Sequence, residues 1–217
     1  AQKRLPTLFS RNGILKNLSV QTTSTRAGEI NGGVTVYNCE FIGSCTGSSS
    51  CTALYAQNGN TVYNSILRDS YYGLSGGKAF NCILYNNTYG FSGLEIQNSI
   101  LYNNAYGLNN TGGLHVYNIY SGNTNYGVTL ALGEKNEDPK FENAPTSWLL
   151  KSDSGLFDAG NPASNFKDFD GSINDIGIYG GAHSPGNGPS VTTLSISSNS
   201  VNQGTKVTIT ATAKSNN

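Results

Sequence analysis

The amino-acid sequence predicts an all-β solenoid, in which short strands wind around a common axis. The prediction depends on two markers that recur in one register, an Asn at the end of a short run and a Tyr-Gly pair. No segment has a convincing helical period, and β-branched and aromatic residues dominate the runs between Gly- and Asn-rich turns. Because a repeat this short cannot bury its own apolar face, stacked repeats must share one core.

The first marker is an Asn at each predicted coil corner. Asn tolerates the left-handed αL conformation that a sharp corner requires. Because stacked coils lie about 4.8 Å apart, we expect each amide to point inward and bond the Asn of the next coil, which satisfies the buried polar groups. The ladder residues are Asn17, Asn38, Asn64, Asn81, Asn98 and Asn118, separated by 21, 26, 17, 17 and 20 residues.

The second marker is the Tyr-Gly pair. It starts at Tyr72, Tyr89, Tyr106 and Tyr126, in steps of 17, 17 and 20 residues. These steps match the later steps of the Asn marker, so the two markers together predict coils over residues 14–132. Strand alternation predicts that Val62, Asn64 and Ile66 all point inward.

Two coils carry a resemblance to known proteins. Residues 81–90 read Asn-Cys-Ile-Leu-Tyr-Asn-Asn-Thr-Tyr-Gly, and residues 98–107 read Asn-Ser-Ile-Leu-Tyr-Asn-Asn-Ala-Tyr-Gly. This pattern resembles the right-handed parallel β-helix proteins of the pectate-lyase-like superfamily. The resemblance implies a right-handed parallel β-helix over residues 1–183. It indicates the fold and not the activity, because the fold hosts lyases, hydrolases, epimerases, adhesins and phage spikes.

The aromatic-rich residues 133–183, here called the closing segment, break the short repeat. Asp-Pro-Lys-Phe at 138–141 and the Asp-Phe-Asp-Gly…Asp-Ile-Gly-Ile-Tyr-Gly run at 168–180 resemble the C-terminal segment of secreted bacterial and archaeal β-helix proteins. In that family the segment follows the last coils and closes the core. The resemblance implies that four aromatic residues plug the core: Phe141, Trp148, Phe157 and Tyr179.

Side-chain oxygens are concentrated around one Gly turn of the closing segment. Hard cations such as Ca²⁺ prefer oxygen ligands on a flexible loop, so the run is a candidate structural calcium site. The spacing is not that of an EF-hand, because the Gly comes too early and no bidentate Glu follows. The alternative is an Asx/Gly turn whose carboxylates cap backbone N–H groups. The candidate ligands are Asp168, Asp170, Ser172, Asn174 and Asp175.

The four cysteines fall into two pairs. Cys45 and Cys51 flank a short polar loop that is able to close, so we expect a disulfide, which fits a secreted, extracellular or cell-surface protein; two free thiols are the alternative. Cys39 and Cys82 lie two coils apart, beyond disulfide reach, and are expected to be small buried residues.

Three glycosylation sequons begin at asparagine residues of the coils. Asn17 is expected to be buried in the ladder and unmodified. Asn86 and Asn109 lie at predicted turns and are candidate glycosylation sites.

The C-terminal tail differs from the coils. Residues 184–190 form a linker by composition. Residues 191–217 resemble the first two strands of a bacterial Ig-like domain, which needs about 100 residues to complete. The tail is therefore either a partial Ig-like segment of a larger surface protein or a strand that pairs with another copy. Uncapped solenoid ends also invite end-to-end contact between copies.

Charge and hydropathy exclude two partner classes. Thirteen Lys and Arg balance thirteen Asp and Glu, so nucleic acid is not an expected partner. No run of 18 apolar residues occurs, so membrane insertion is not expected.

The coils suggest a binding surface more than an active site. Their few charged residues do not recur at one coil position, so paired carboxylates for glycoside hydrolysis are not evident. An outward column of rings could stack on sugars or simply cover the sheet by cross-coil stacking. We therefore predict a non-catalytic extracellular adhesive or structural domain that contacts its own copies or a cell-surface polysaccharide; the alternative is a polysaccharide lyase or a glycan-binding module. The candidate glycan-binding residues are Tyr37, Tyr63, Phe80 and Tyr117.

Overall fold

The protein is a solenoid of short parallel strands followed by a small separate unit. The structure is a computed structural model that describes residues 8–22, 25–44, 51–57, 59–109, 112–185, 190–195 and 210–214. The coils and the closing segment belong to one compact unit that ends at Pro185, and the second unit begins at Gly186. The described residues include no helix long and apolar enough to cross a membrane.

Sixteen strands build the coils. In chain order they are β1 (Leu8–Lys16), β2 (Ser19–Thr22), β3 (Arg26–Tyr37), β4 (Glu40–Gly43), β5 (Thr52–Ala56), β6 (Thr61–Tyr63), β7 (Ile66–Arg68), β8 (Tyr72–Ser75), β9 (Lys78–Phe80), β10 (Ile83–Tyr85), β11 (Tyr89–Ser92), β12 (Glu95–Gln97), β13 (Ile100–Tyr102), β14 (Tyr106–Leu108), β15 (Leu114–Val116) and β16 (Ile119–Ser121).

Three parallel sheets form the walls of the solenoid. Sheet 1 contains β5, β8, β11 and β14, and sheet 2 contains β6, β9, β12 and β15. The long strands β1 and β3 run across both, because β3 pairs with β5 at one end and with β6 at the other. Sheet 3 contains β2, β4, β7, β10, β13 and β16. Each regular coil therefore contributes one strand to each wall.

Sheet 3 is buried on both faces. Leu84 and its equivalents face the coil interior, where they join the main core. Ile83 and its equivalents face outward and join a second apolar cluster. The prediction that Ile66 points inward with Val62 is therefore wrong, because the corner between the two strands reverses the alternation. Parallel strands covered on both faces are expected to be continuously apolar, as the Ile-Leu-Tyr runs are.

The corner between sheets 2 and 3 is built on left-handed asparagines. Five of the six predicted residues have φ between 47° and 55°: Asn17, Asn38, Asn64, Asn81 and Asn98. The assignment of the sixth is wrong by one position. Ile119 pairs with Ile100, so Asn118 lies beside Ser99 and Tyr117 takes the left-handed corner at φ 55°. Asn17 is exposed, so the expectation that it is buried in a ladder is also wrong.

The amides at this corner do not bond one another in the described hydrogen bonds. The Asn64 Nδ2 donates to the carbonyls of Ile178 and Gly180, at 2.9 and 2.7 Å. The Asn81 Nδ2 donates to the Asn174 Oδ1 at 2.8 Å. The left-handed backbone directs these side chains towards the closing segment, which explains why the predicted inward ladder is absent here.

A buried amide ladder occurs instead at the corner between sheets 3 and 1. The Asn87 Nδ2 donates to the Asn104 Oδ1 at 3.1 Å, and the Asn104 Nδ2 donates to the Asn123 Oδ1 at 3.0 Å. The same nitrogens also donate to backbone carbonyls of the preceding coil, at Leu67 and Leu84. Each Oδ1 in turn accepts a backbone N–H of the preceding coil. These amides therefore satisfy the buried polar groups of the corner.

Beyond Glu134, the closing segment covers the outer face of sheet 3 and does not plug the end of the core. Its hairpin, β17 (Phe141–Asn143) and β18 (Ser147–Leu150), is antiparallel. Trp148 packs edge-on against Tyr85, at 5.1 Å between ring centroids, and Phe141 packs against Tyr102. Tyr179 lies beside the same outer cluster, whereas Phe157 is 44% exposed. The implied plugging role of these four aromatics is therefore wrong, because the outward isoleucines of sheet 3 require a cover.

The end of the core is closed by Glu134 and the residues before it. Its carboxylate is fully buried and accepts hydrogen bonds from the Asn118 amide at 2.8 Å, the Tyr120 hydroxyl at 3.0 Å and the Ala131 N–H at 2.8 Å. His115 Nδ1 lies 3.0 Å from the same group. Burial, followed by the Glu134 charge, raises the pKa of Tyr120. The Glu134 carboxylate thus lies at the end of the apolar core, and its oxygens have hydrogen-bond donors.

Two of the cysteines are buried thiols. Cys39 and Cys82 are free and buried, and burial raises their pKa to about 11 and about 12. Cys51 is disulfide-bonded. Cys45 lies outside the described residues, so its pairing with Cys51 stays a prediction.

The second unit contains one described hairpin. Strand β19 (Ser190–Ser195) pairs antiparallel with β20 (Thr210–Lys214). Residues 196–209 lie outside the described residues. The Ig-like and strand-donating interpretations of the tail both stay predictions.

The amide ladder predicts a stability cost at one residue. Asn104→Ala removes donors to Leu84 and Asn123 and the acceptor of Asn87, so buried polar groups lose their partners. We expect the free energy of unfolding to fall by about 3 kcal/mol in urea titrations. The matched control is Asn136→Ala at an exposed position, with an expected change within about 0.5 kcal/mol. Equal effects of the two substitutions would contradict the role of the ladder.

Candidate functional site

The predicted aromatic column is covered by its own neighbours. Tyr37, Tyr63 and Phe80 occupy one register position on sheet 2, with ring centroids 5.2 Å apart in both stacked pairs. His183 packs edge-on against Tyr37 and Tyr63, and Phe166 packs against Phe80. The ring faces are therefore occupied by other rings, which favours sheet cover over a sugar platform.

Tyr117 does not belong to this column. Strand pairing places Val116, and not Tyr117, beside Gln97. The Tyr117 side chain lies instead against Gly133, where an added Cβ would come within 2.3 Å of the ring. Its predicted place in the column is therefore wrong, because of the same one-residue offset that displaces Asn118, and its role in glycan binding stays a prediction.

The candidate calcium run is occupied by internal hydrogen bonds. Asp168 accepts the N–H groups of Asp175, at 3.1 Å, and of Gly181. Asp170 Oδ1 accepts the Ser172 N–H at 3.0 Å. Asn174 is buried against the Asn81 amide. The described residues contain no group of three or more His, Cys, Asp or Glu placed to hold a metal. The capping alternative accounts for these contacts, and calcium binding stays a prediction.

The carboxylates of this run influence one another. Burial raises the pKa of Asp175 to about 6, with smaller contributions from the charges of Asp168, Asp158 and Asp170. Burial also raises the pKa of Asp168. The Asp175 Oδ1 accepts the Asp158 N–H at 2.8 Å, so this group holds the loop in place while its charge is disfavoured.

An open groove of about 930 Å³ follows the corner between sheets 3 and 1, here called the corner groove. The closing segment contributes none of its described lining residues. The groove crosses successive coils, because each coil supplies the residues of the same corner. They are Gln21, Ile42, Gly43, Ser44, Arg68, Asp69, Ser70, Tyr71, Asn86, Asn87, Thr88, Asn103, Asn104, Ala105, Gly122 and Thr124.

The floor of the corner groove depends on the buried ladder beneath it. Asn87 and Asn104 turn inward and bond the preceding coil. The residue before each of them, Asn86 or Asn103, is left-handed at φ 53° and exposed. Each Asn-Asn pair therefore gives one amide to the core and presents one to the groove.

One ion-pair cluster lies at the corner groove. The Arg68 Nε donates to the Glu40 Oε1 at 2.8 Å, and its Nη1 donates to Asp69. The Asn86 Nδ2 donates to the other oxygen of Asp69 at 2.7 Å. Burial alone would lower the pKa of Arg68. The hydrogen bonds that Arg68 donates to Glu40 and Asp69, together with the negative charges of these two groups, outweigh the effect of burial and raise the pKa. Arg68 is therefore held protonated.

A tyrosine forms the wall of the corner groove. Tyr72, Tyr89 and Tyr106 stack along sheet 1, with centroids 5.4 and 5.0 Å apart. Tyr71 meets Tyr72 and Tyr89 edge-on, at interplanar angles of 80° and 72°, and lines the groove. This perpendicular ring stands out of the stack. Sequence alternation did not identify it, because it lies at a corner between strands.

The two candidate glycosylation sites lie at the surface. Asn86 is exposed in the corner groove, and its amide is bonded to Asp69. Asn109 is exposed, whereas Asn110 and Thr111 of its sequon lie outside the described residues. Modification of either stays a prediction.

Comparison with known proteins establishes the fold alone. No family model matches the chain, and no curated protein matches it. The structure is similar to the crystal structure of pectate lyase Pel9A, with a TM-score of 0.51 and 16% sequence identity. The similarity covers 76% of this chain and 64% of that one, so this chain spans less than two thirds of the neighbour. Together with the parallel stacking of strands, this similarity shows a right-handed parallel β-helix.

The raised pKa of Asp175 predicts a pH-dependent stability difference. Because the folded pKa of about 6 exceeds the ordinary value of 3.8, stability from this group is present at low pH and is lost as the pH rises through 6. Asp175→Asn keeps the acceptor for Asp158 and removes the charge. We expect it to be more stable than wild type by about 1 kcal/mol at pH 7.5, discounted for partial exposure, and equal at pH 4.

The measurement is urea unfolding across this pH range in chelator, repeated with added Ca²⁺. Asp153→Asn is the control, because Lys140 lowers the pKa of that exposed carboxyl and no gain is expected at neutral pH. A difference between Asp175→Asn and wild type that does not change with pH would contradict the prediction. If Ca²⁺ stabilises the wild-type protein and Asp168→Asn abolishes that stabilisation, the side-chain oxygens of this run are ligands of a bound calcium ion.

Proposed function

We propose that this chain is a non-catalytic extracellular adhesive β-helix domain that holds a polysaccharide in the corner groove. The observation that carries the proposal is the repetition of one polar corner across successive coils beside an aromatic wall. A ligand that repeats along its length matches a site that repeats along its length. The disulfide of Cys51 supports an oxidising, extracellular compartment.

The chemistry of the corner groove suits hydroxyl groups. Asn86 and Asn103 offer amide donors and acceptors, and Thr88 and Thr124 offer hydroxyls. Successive coils place equivalent groups about 4.8 Å apart, a spacing comparable to one sugar residue of an extended chain. The ring of Tyr71 offers an apolar face for the C–H face of a pyranose. Binding along the groove would use several weak contacts at once.

The state of Arg68 supports binding over lyase or hydrolase chemistry. A lyase of this fold uses a strong base beside metal-binding carboxylates, whereas Arg68 is protonated and bonded to Glu40 and Asp69. A glycosidase requires two carboxyl groups flanking the scissile bond. Among the described residues that line the groove, Asp69 supplies one carboxylate, and both of its oxygens are bonded.

The proposal predicts that Tyr71→Ala weakens binding to an extended plant or bacterial polysaccharide. The reason is loss of the apolar wall, and we expect a loss of at least about tenfold in affinity, or about 1.4 kcal/mol. Affinity electrophoresis against a panel of soluble polysaccharides gives the ligand, and calorimetry on the best ligand gives the affinity. Phe157→Ala, an exposed ring on the closing segment, is the control. Absence of binding across the panel, or equal loss in both variants, would overturn the proposal.

A second candidate function is assembly of copies through the N-terminal end of the solenoid. In the described part of the chain, β1 pairs with β3 and β2 pairs with β4, and the other edge of each strand has no strand partner. Ile14 is 64% exposed there, and Leu15, Leu18 and Val20 only partly pack on the core. The opposite end is closed by Glu134. An open, partly apolar strand edge favours contact with another copy.

The assembly candidate predicts concentration-dependent association that a charge abolishes. Ile14→Asp adds a charge to the open end without removing a core residue, so the variant is expected to stay monomeric. Sedimentation velocity over a range of concentrations is the measurement. Ile173→Asp, at an exposed position of the closing segment, is the control and should associate as wild type does. A wild-type protein that is monomeric at every concentration would exclude this candidate.

A further inference from the structure

We infer that the corner groove selects uncharged polysaccharides and rejects polyuronates. The inference rests on the proposed function and adds the class of ligand. It also separates this chain from its structural neighbour, whose name specifies pectate, an anionic chain. The selection comes from the charges and hydrogen bonds of Arg68, Glu40 and Asp69.

The charge balance at the corner groove opposes an anionic ligand. Arg68 is the one cationic residue among the described residues that line the groove. It is bonded to two carboxylates, so one positive and two negative groups leave the cluster with a formal charge of −1. The cluster is only partly exposed, with side-chain exposures of 23% for Arg68, 28% for Glu40 and 27% for Asp69, so solvent screens it less than a free surface pair.

The hydrogen bonds of Arg68 engage part of the one cationic group that lines the corner groove. Arg68 already donates its Nε to Glu40 and its Nη1 to Asp69. A bidentate bond to a uronate requires two parallel guanidinium donors. A uronate that bound the remaining N–H groups of Arg68 would lie beside both carboxylates and would add a third negative charge to the cluster.

The remaining groove residues recognise neutral hydroxyls. Asn86 lines the groove and donates its Nδ2 to Asp69, and its Oδ1 has no described hydrogen-bond donor. Thr88, Thr124 and Ser44 each supply a hydroxyl that both donates and accepts. Such groups bind sugar hydroxyls with no net charge on either side. Binding of a neutral chain should then be insensitive to salt.

The test compares two polymers of similar extension, a neutral β-1,4-linked glucomannan and polygalacturonate. Wild type is expected to bind glucomannan at least about tenfold more tightly than polygalacturonate. The double variant Glu40→Gln/Asp69→Asn keeps amide acceptors for Arg68 but removes both negative charges, so the cluster charge changes to +1. We expect it to gain at least about tenfold in affinity for polygalacturonate, a gain that added salt reverses, and to change little towards glucomannan.

The control is the double variant Glu137→Gln/Glu142→Gln. It also removes two negative charges, but from residues of the closing segment that do not line the groove. It should gain no polygalacturonate binding. Circular dichroism and thermal unfolding establish that both double variants fold as wild type does.

The outcomes separate the inference from the proposed function. Wild-type binding to polygalacturonate that exceeds binding to glucomannan and is lost in Tyr71→Ala would overturn the charge selection and leave groove binding intact. A folded Glu40→Gln/Asp69→Asn protein that gains nothing for polygalacturonate while it still binds glucomannan would do the same. Failure of wild type to bind either polymer would overturn the inference, and failure across the wider panel would overturn the proposed function.

Discussion

The amide ladder of Asn87, Asn104 and Asn123, of which the first two are buried, is the constraint on which the rest of the molecule depends. A coil that turns from sheet 3 to sheet 1 buries backbone N–H and C=O groups that have no strand partner at the corner. One inward amide in each coil satisfies a carbonyl of the preceding coil, a backbone N–H and the next amide. Because this bonding requires coils in strict register, the ladder fixes the geometry of the corner and of the groove outside it.

The position of the groove follows from what the other flanks have to bury. Sheet 3 carries isoleucines on its outer face, and the closing segment covers them with Trp148, Leu156 and Ile178. Sheet 2 carries the stacked rings, which His183 and Phe166 cover. The corner between sheets 3 and 1 has an outward row of amides and hydroxyls, which need no apolar cover. The apolar flanks of the solenoid are thus covered by the same chain, whereas this polar corner stays open to solvent.

The periodicity of the Asn and Tyr-Gly markers predicts the solenoid and the range of residues that its coils occupy. The recurring Asn also predicts the left-handed corner. The periodicity could not place Asn118 or Tyr117, because Tyr-Asn at 117–118 repeats the letters of Tyr63-Asn64 while strand pairing shifts them by one residue. It also assigned the amide ladder to the wrong corner: both corners carry asparagine, and only backbone conformation decides which one turns inward. The groove residues Arg68 and Asp69 are adjacent in the sequence. Their partner Glu40 is 28 residues from Arg68, and no local pattern connects them.

The bonds between the closing segment and the coils also limit how the chain can vary in length. Asn64, Asn81 and Asn98 hold the segment through three consecutive coils, spaced by 17 residues each. A coil inserted among them would displace every later anchor by about 4.8 Å. No described hydrogen bond joins the segment to Asn17 or Asn38, and there the spacing is irregular, at 21 and 26 residues. The closing segment therefore fixes the number of coils between Asn64 and Asn98, whereas no described hydrogen bond of this kind fixes the number of coils before Asn64.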